Sequence, residues 1–93
     1  MFLVYGLQKS GISITKLFEK RNQKFKIWDD NKNLRNVLNK KFKKDLFFNP
    51  KNKNLNIFKK IYVTPGISIR QKKFQNIKNK SKVNRDLNLY ISN

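Results

Sequence analysis

Apolar positions in this chain come in two patterns that alternate: short continuous runs, and stretches where they recur every three or four residues. Phe2-Leu3-Val4-Tyr5 is a continuous run of β-formers, the pattern of a strand covered on both faces. Gly6-Leu7-Gln8-Lys9-Ser10-Gly11 follows as a tight glycine turn. From Ile12 the period changes: Ile14, Leu17 and Phe18 fall at i, i+3 and i+4 and predict a helix with one apolar stripe. Ser10 is placed to cap that helix, and Glu19-Lys20-Arg21-Asn22 is its polar exit. Phe25–Trp28 predicts a second strand, with Phe25 and Ile27 on one face and Trp28 on the other. It runs into Asp29-Asp30-Asn31, and a helix beginning near Leu34 carries Val37 and Leu38 on one face.

The second half repeats the alternation. Lys40–Lys44 is a basic connection, Leu46-Phe47-Phe48 reads as a third strand, and Asn49-Pro50-Lys51-Asn52 is a turn cluster. Leu55 and Phe58 form a short helix face, and Ile61-Tyr62-Val63 is the clearest of the later strands. That strand ends in Thr64-Pro65-Gly66-Ile67, a tight turn. Arg70–Lys78 predicts a basic helix with Phe74 and Ile77 inward, and Lys82-Val83-Asn84 a short edge strand. Asp86–Ile91 predicts a last helix with Leu87, Tyr90 and Ile91 at i, i+3 and i+4.

Five strand–helix alternations predict an α/β fold: a three-layer, Rossmann-like domain over residues 1–93. Its parallel sheet would have about five strands and helices on both faces. Right-handed crossovers then bring the ends after Tyr5, Trp28 and Val63 to one edge. The glycine turn, the acidic pair and the Thr-Pro-Gly turn would converge on one crevice. A strand–turn–helix junction aims backbone N–H groups at an anion. The acidic pair lies about twenty residues further on, the interval at which such units set a carboxylate against ribose. Asp29 and Asp30 have a second reading, as caps of the next helix. Both readings stand for Asp29; for Asp30 capping is preferred.

Composition narrows the chemistry. With no Cys and no His the chain has no disulfide framework, no thiolate metal site and no imidazole base. No apolar run approaches the roughly 18 residues that span a bilayer, and Met1–Tyr5 is too short for a signal-peptide core. The expected location is cytoplasmic, with no membrane partner. The net charge of +18, from 23 Lys+Arg against 5 Asp+Glu, would ordinarily suggest a polyanion partner. The excess is mostly Lys, accompanied by much Asn and spread along the chain, as an AT-rich coding sequence would produce. Phe42, Phe58 and Phe74 lie near lysines but fall on apolar faces, which makes them core rather than base-stacking residues. The balance is against nucleic acid. A small nucleic-acid- or ribosomal-RNA-binding protein is the alternative reading. A dinucleotide-binding oxidoreductase domain is disfavoured by Gln8, which stands where the second glycine of G-x-G-x-x-G would be.

Val4-Tyr5-Gly6-Leu7-Gln8-Lys9-Ser10-Gly11, Ile27-Trp28-Asp29-Asp30, Val63-Thr64-Pro65-Gly66-Ile67 and Asn84-Arg85-Asp86-Leu87-Asn88-Leu89 occur in order. Together they resemble the amino-terminal domain of the D-glutamate-adding Mur ligases (UDP-N-acetylmuramoyl-L-alanine–D-glutamate ligases) of peptidoglycan synthesis. The resemblance implies a domain that holds the uridine diphosphate part of UDP-N-acetylmuramoyl-L-alanine. It sets Gly6, Leu7, Gln8, Lys9 and Ser10 along the diphosphate, and Asp29 and Asp30 near the uracil or ribose. Thr64, Pro65 and Gly66 would complete the pocket. The full enzymes use ATP and magnesium to form an acyl phosphate that D-glutamate attacks.

The sequence departs from the family pattern at Gln8 for glycine, Asn31 near an Arg position and Asn88 for Glu. Nothing in it matches G-x-x-x-x-G-K-[ST], so phosphoryl transfer has no phosphate-gripping loop. The chain is therefore expected to be a fragment without the central ATP-binding and C-terminal domains. It would carry no cofactor, metal or catalytic residue, and would be inactive alone.

Overall fold

The computed structural model describes residues 1–50, 55–68 and 70–85. The expected last helix, Asp86–Ile91, and the end of the Asn49–Asn52 turn cluster lie outside the described residues. The chain order is β1 (Phe2–Tyr5), α1 (Lys9–Lys20), β2 (Phe25–Trp28), α2 (Lys32–Leu38), β3 (Lys60–Val63), α3 (Lys72–Gln75) and β4 (Val83–Asn84). Short 3-10 turns at Lys44–Leu46 and Leu55–Ile57 separate α2 from β3, and one at Lys80–Lys82 precedes β4.

All strand pairs are parallel, in the order β2-β1-β3-β4. The fold is α/β. Period-two alternation splits the apolar side chains between the two faces of the sheet. Val4, Ile27 and Tyr62 join Ile14 and Phe18 of α1 in one cluster. Leu3, Tyr5, Ile61 and Val63 join Phe48, Leu55, Phe58, Phe74 and Ile77 in the other. Phe18 anchors the first cluster, its ring 5.3–5.6 Å from Phe2, Phe25 and Tyr62. Fully burying such a ring contributes about 2–3 kcal/mol. On the second face Tyr5 meets Phe74 edge-on at 4.9 Å.

Four strands are present among the described residues, not five, and Leu46-Phe47-Phe48 is where the expectation fails. Leu46 ends a 3-10 turn, and the segment touches β2 through one parallel bridge, Ile27 to Phe47, with Phe48 N–H donating to the Ile27 carbonyl (2.9 Å). The next rung would need an N–H from position 50, which is proline. Its acceptor, the Asp29 carbonyl, takes a hydrogen bond from Arg35 Nη1 instead (2.7 Å).

Several element ends also differ from expectation. Ser10 does not cap α1: the N-cap is Gln8, without a side-chain bond, because the helix is already under way at Lys9. Neither Asp29 nor Asp30 caps α2. Asn31 does, its side chain accepting from the N–H groups of Asn33 and Leu34. Val37 points outward and is 67% exposed. Leu34 and Leu38 face the core, and Arg35 is turned onto the Trp28 ring at 4.3 Å, which rotates Val37 into solvent. The basic helix expected over Arg70–Lys78 is only four residues long, although Phe74 and Ile77 are buried as anticipated. The Asn56 side chain stops it, donating to the Asn76 carbonyl and accepting from Lys78 N–H.

Candidate functional site

Register places the ends of three strands at one level. Tyr5 pairs with Trp28 on one side and Val63 on the other, so Gly6, Asp29 and Thr64 are neighbours on the same rim. The chain leaves β1 toward β2 in one direction and later adds β3 on the opposite side. The end of β1 is thus a topological switch point, the position where open α/β sheets form a ligand crevice.

Direct bonds tie the rim together. Gly6 N–H donates to the Trp28 carbonyl (2.7 Å), Thr64 N–H to the Tyr5 carbonyl (3.0 Å), and Leu7 N–H to Oδ2 of Asp29 (2.7 Å). Gly6 has φ +108°, and a Cβ there would lie 1.9 Å from Thr64 Oγ1. A Cβ on Gly11 would lie 1.9 Å from the Gly6 carbonyl oxygen. Both glycines are required by close approach of backbone to backbone or side chain. Gly66 differs: the turn closes through Ile67 N–H to the Thr64 carbonyl (3.0 Å), and a Cβ on Gly66 would meet nothing.

The ten residues singled out from sequence thus divide by accessibility. Gln8, Lys9 and Ser10 are exposed at the start of α1, and Pro65 and Gly66 are exposed on the facing turn. The N–H groups of Lys9, Ser10 and Gly11 precede the first helical bond, Ile12 N–H to the Gln8 carbonyl, so the helix offers them no acceptor. Leu7 is buried in the core, leaving only its backbone near the rim. Asp29 is 5% exposed, and its oxygens accept from Leu7 and Asn31 N–H groups. It braces the glycine turn against β2.

Asp30 is half-exposed and lies in a polar cluster that sequence reading missed. Tyr5 OH donates to its Oδ1 (2.5 Å), Lys73 Nζ lies 3.3 Å from the same oxygen, and Gln71 Nε2 donates to Oδ2 (3.3 Å). Burial pushes the Asp30 carboxyl up, but the hydrogen bonds from Tyr5 and Gln71 and the Lys73 charge outweigh it, holding the group below its ordinary value. Burial, then the Asp30 hydrogen bond and charge, push the Tyr5 hydroxyl far above its ordinary value; Arg35 opposes this weakly. Tyr5 gave a faint signal, a polar tip at the end of an apolar run. Lys73 and Gln71 gave none, because only tertiary packing brings them to position 30. Arg85 is a further unforeseen member, its Nη2 donating to the Pro65 carbonyl (2.6 Å).

Other regions offer less. A depression of about 240 Å³, lined by Ser13, Lys16, Leu17 and Lys20, lies toward the far end of α1 from the rim. Among the described residues no three His, Cys, Asp or Glu side chains gather as metal ligands, and no helix is long and apolar enough to cross a membrane. Phe42, Phe58 and Phe74 are buried, so none presents a ring face for stacking on a base.

Compared with known families, residues 1–83 match the one described as Mur ligase MurD-like, N-terminal domain. None of the curated proteins compared with the chain matches it.

Proposed function

The chain belongs to the MurD-like N-terminal domain family of the Mur ligases, and from that premise we propose that it binds UDP-N-acetylmuramoyl-L-alanine for a D-glutamate-adding, ATP-dependent ligase of peptidoglycan synthesis. The strand order and the apolar clusters on both sheet faces support a three-layer, Rossmann-like reading of the fold.

In this reading the free N–H groups at the start of α1, with Gln8, Lys9 and Ser10 beside them, receive the diphosphate. Gly6, Leu7 and Asp29 shape that turn from behind, through backbone and brace rather than direct side-chain contact. Asp30 lies on the ribose or uracil side, and Thr64, Pro65 and Gly66 form the opposite wall. The domain contributes binding and orientation. ATP and magnesium belong to the chemistry of the whole ligase, since this sequence has no G-x-x-x-x-G-K-[ST] loop to grip a transferring phosphoryl group. A nucleotide-linked substrate supports a cytoplasmic location for the domain.

The observation that carries the proposal is the register of Tyr5 with both Trp28 and Val63, which sets three separate loops side by side at a switch point. Calorimetric titration of the chain with UDP-N-acetylmuramoyl-L-alanine, and separately with an RNA oligomer, tests it. Saturable single-site binding of the nucleotide sugar is expected, with RNA binding weak and falling steeply in log salt. Absence of saturable nucleotide-sugar binding, together with tight salt-sensitive RNA binding, overturns it.

A further inference from the structure

The carboxylate of Asp30 is gripped by two segments remote in sequence. Tyr5, fully buried at the end of β1, donates its hydroxyl proton to Oδ1 and accepts from Lys73 Nζ (2.5 Å). Lys73 also reaches Oδ1 itself, and its ammonium stands 5.2 Å from the centre of the Tyr5 ring. Gln71, on the same segment as Lys73, donates to Oδ2. An ionised carboxylate has about four acceptor positions. Oδ1 accepts from Tyr5 and Lys73 and Oδ2 from Gln71, which leaves one open position on Oδ2. The Asp30 side chain is 39% exposed, so that position is open to solvent at the rim.

Left alone, a half-exposed carboxylate beside a diphosphate would change rotamer freely and repel the ligand. Here the buried phenol fixes its orientation, and the ammonium offsets its charge. Of the other charged groups nearby, Asp29 is turned toward Leu7 and Asn31, and Arg35 toward Trp28 and the Asp29 carbonyl. Asp29 is buried, at 5% exposed, and a guanidinium carries only donors, so neither offers the ligand an acceptor in place of Asp30.

We infer that Tyr5, Lys73 and Gln71 are positioning residues that hold Asp30 as a one-position acceptor for a ribose hydroxyl of a uridine nucleotide, an inference that rests on the nucleotide-binding reading above. The ligand class is a ribonucleotide, selected over a deoxy form at this one carboxylate.

The test is calorimetric binding of UDP and of 2′,3′-dideoxy-UDP to the full chain, in the wild type and in Lys73→Met and Tyr5→Phe, each checked for fold by circular dichroism. The wild type is expected to prefer UDP by about tenfold or more, the range for a hydrogen bond to a charged group. Each variant is expected to reduce that preference to about threefold or less, a change that general destabilisation does not produce. Should one variant fail to fold, the other decides. Retention of the full preference in a folded variant overturns the inference, as does a wild type that binds UDP without discriminating. A wild type that binds no UDP at all overturns the nucleotide reading itself, and shows this before any variant is made.

Discussion

Gly6 and Gly66 look alike in sequence, each in a turn after a predicted strand, but the structure treats them differently. Gly6 combines φ +108° with a neighbour 1.9 Å from where its Cβ would be, whereas Gly66 faces open space. Gly6→Ala is expected to destabilise the chain by about 2 kcal/mol or more, and Gly66→Ala to change stability by less than about 0.5 kcal/mol. Denaturant melts of the two variants check this, and equal losses would contradict the turn geometry. The Tyr5–Asp30 pair makes a second prediction, in pH. Tyr5 is raised in the folded state from an ordinary 10.0, so its contribution is full below pH 10.0 and is lost as pH rises beyond it. Asp30 is lowered from 3.8, so its contribution is present above pH 3.8 and is lost as pH falls below it. Unfolding curves of wild type against Tyr5→Phe at alkaline pH, and against Asp30→Asn at acid pH, should converge in those windows.

At the scale of elements, α1 is the informative one. Its N-cap, Gln8, has extended backbone and makes no side-chain cap, and its first turn carries no acidic residue. An uncapped helix start is tolerable in water and useful beside an anion. Gln8→Asp should supply the missing cap and raise stability by about 1 kcal/mol. It should also abolish UDP binding, because the new carboxylate would occupy the donors and repel the diphosphate. Thermal melts and calorimetry on one sample measure both. A stabilised variant that still binds UDP normally would show that the diphosphate sits elsewhere. Where elements stop was harder to foresee than where they run. Asn56 ends α3 from across the fold, and Pro50 with Arg35 prevents Phe47 and Phe48 from extending the sheet.

For the whole molecule, a net charge of +18 on 93 residues sets a self-repulsion that a thin core must overcome. Raising ionic strength from about 0.01 M to about 0.3 M should therefore raise the midpoint of thermal unfolding by roughly 5 °C, the effect of about 1 kcal/mol. An unchanged midpoint would mean that the lysines lie too far apart to interact. By itself the sequence determined β1, α1, β2 and β3, because apolar period and glycine placement are local properties that each segment carries alone. It also determined that Gly6, Asp29 and Thr64 share a rim, since parallel strands joined by helices leave their ends on one edge. Only the tertiary structure decided which carboxylate braces and which faces out. Asp29 and Asp30 are chemically identical, and their roles come from Leu7, Tyr5, Gln71 and Lys73, which reach them from up to 43 positions away. No local pattern encodes such contacts, because they depend on how the faces of the sheet are covered.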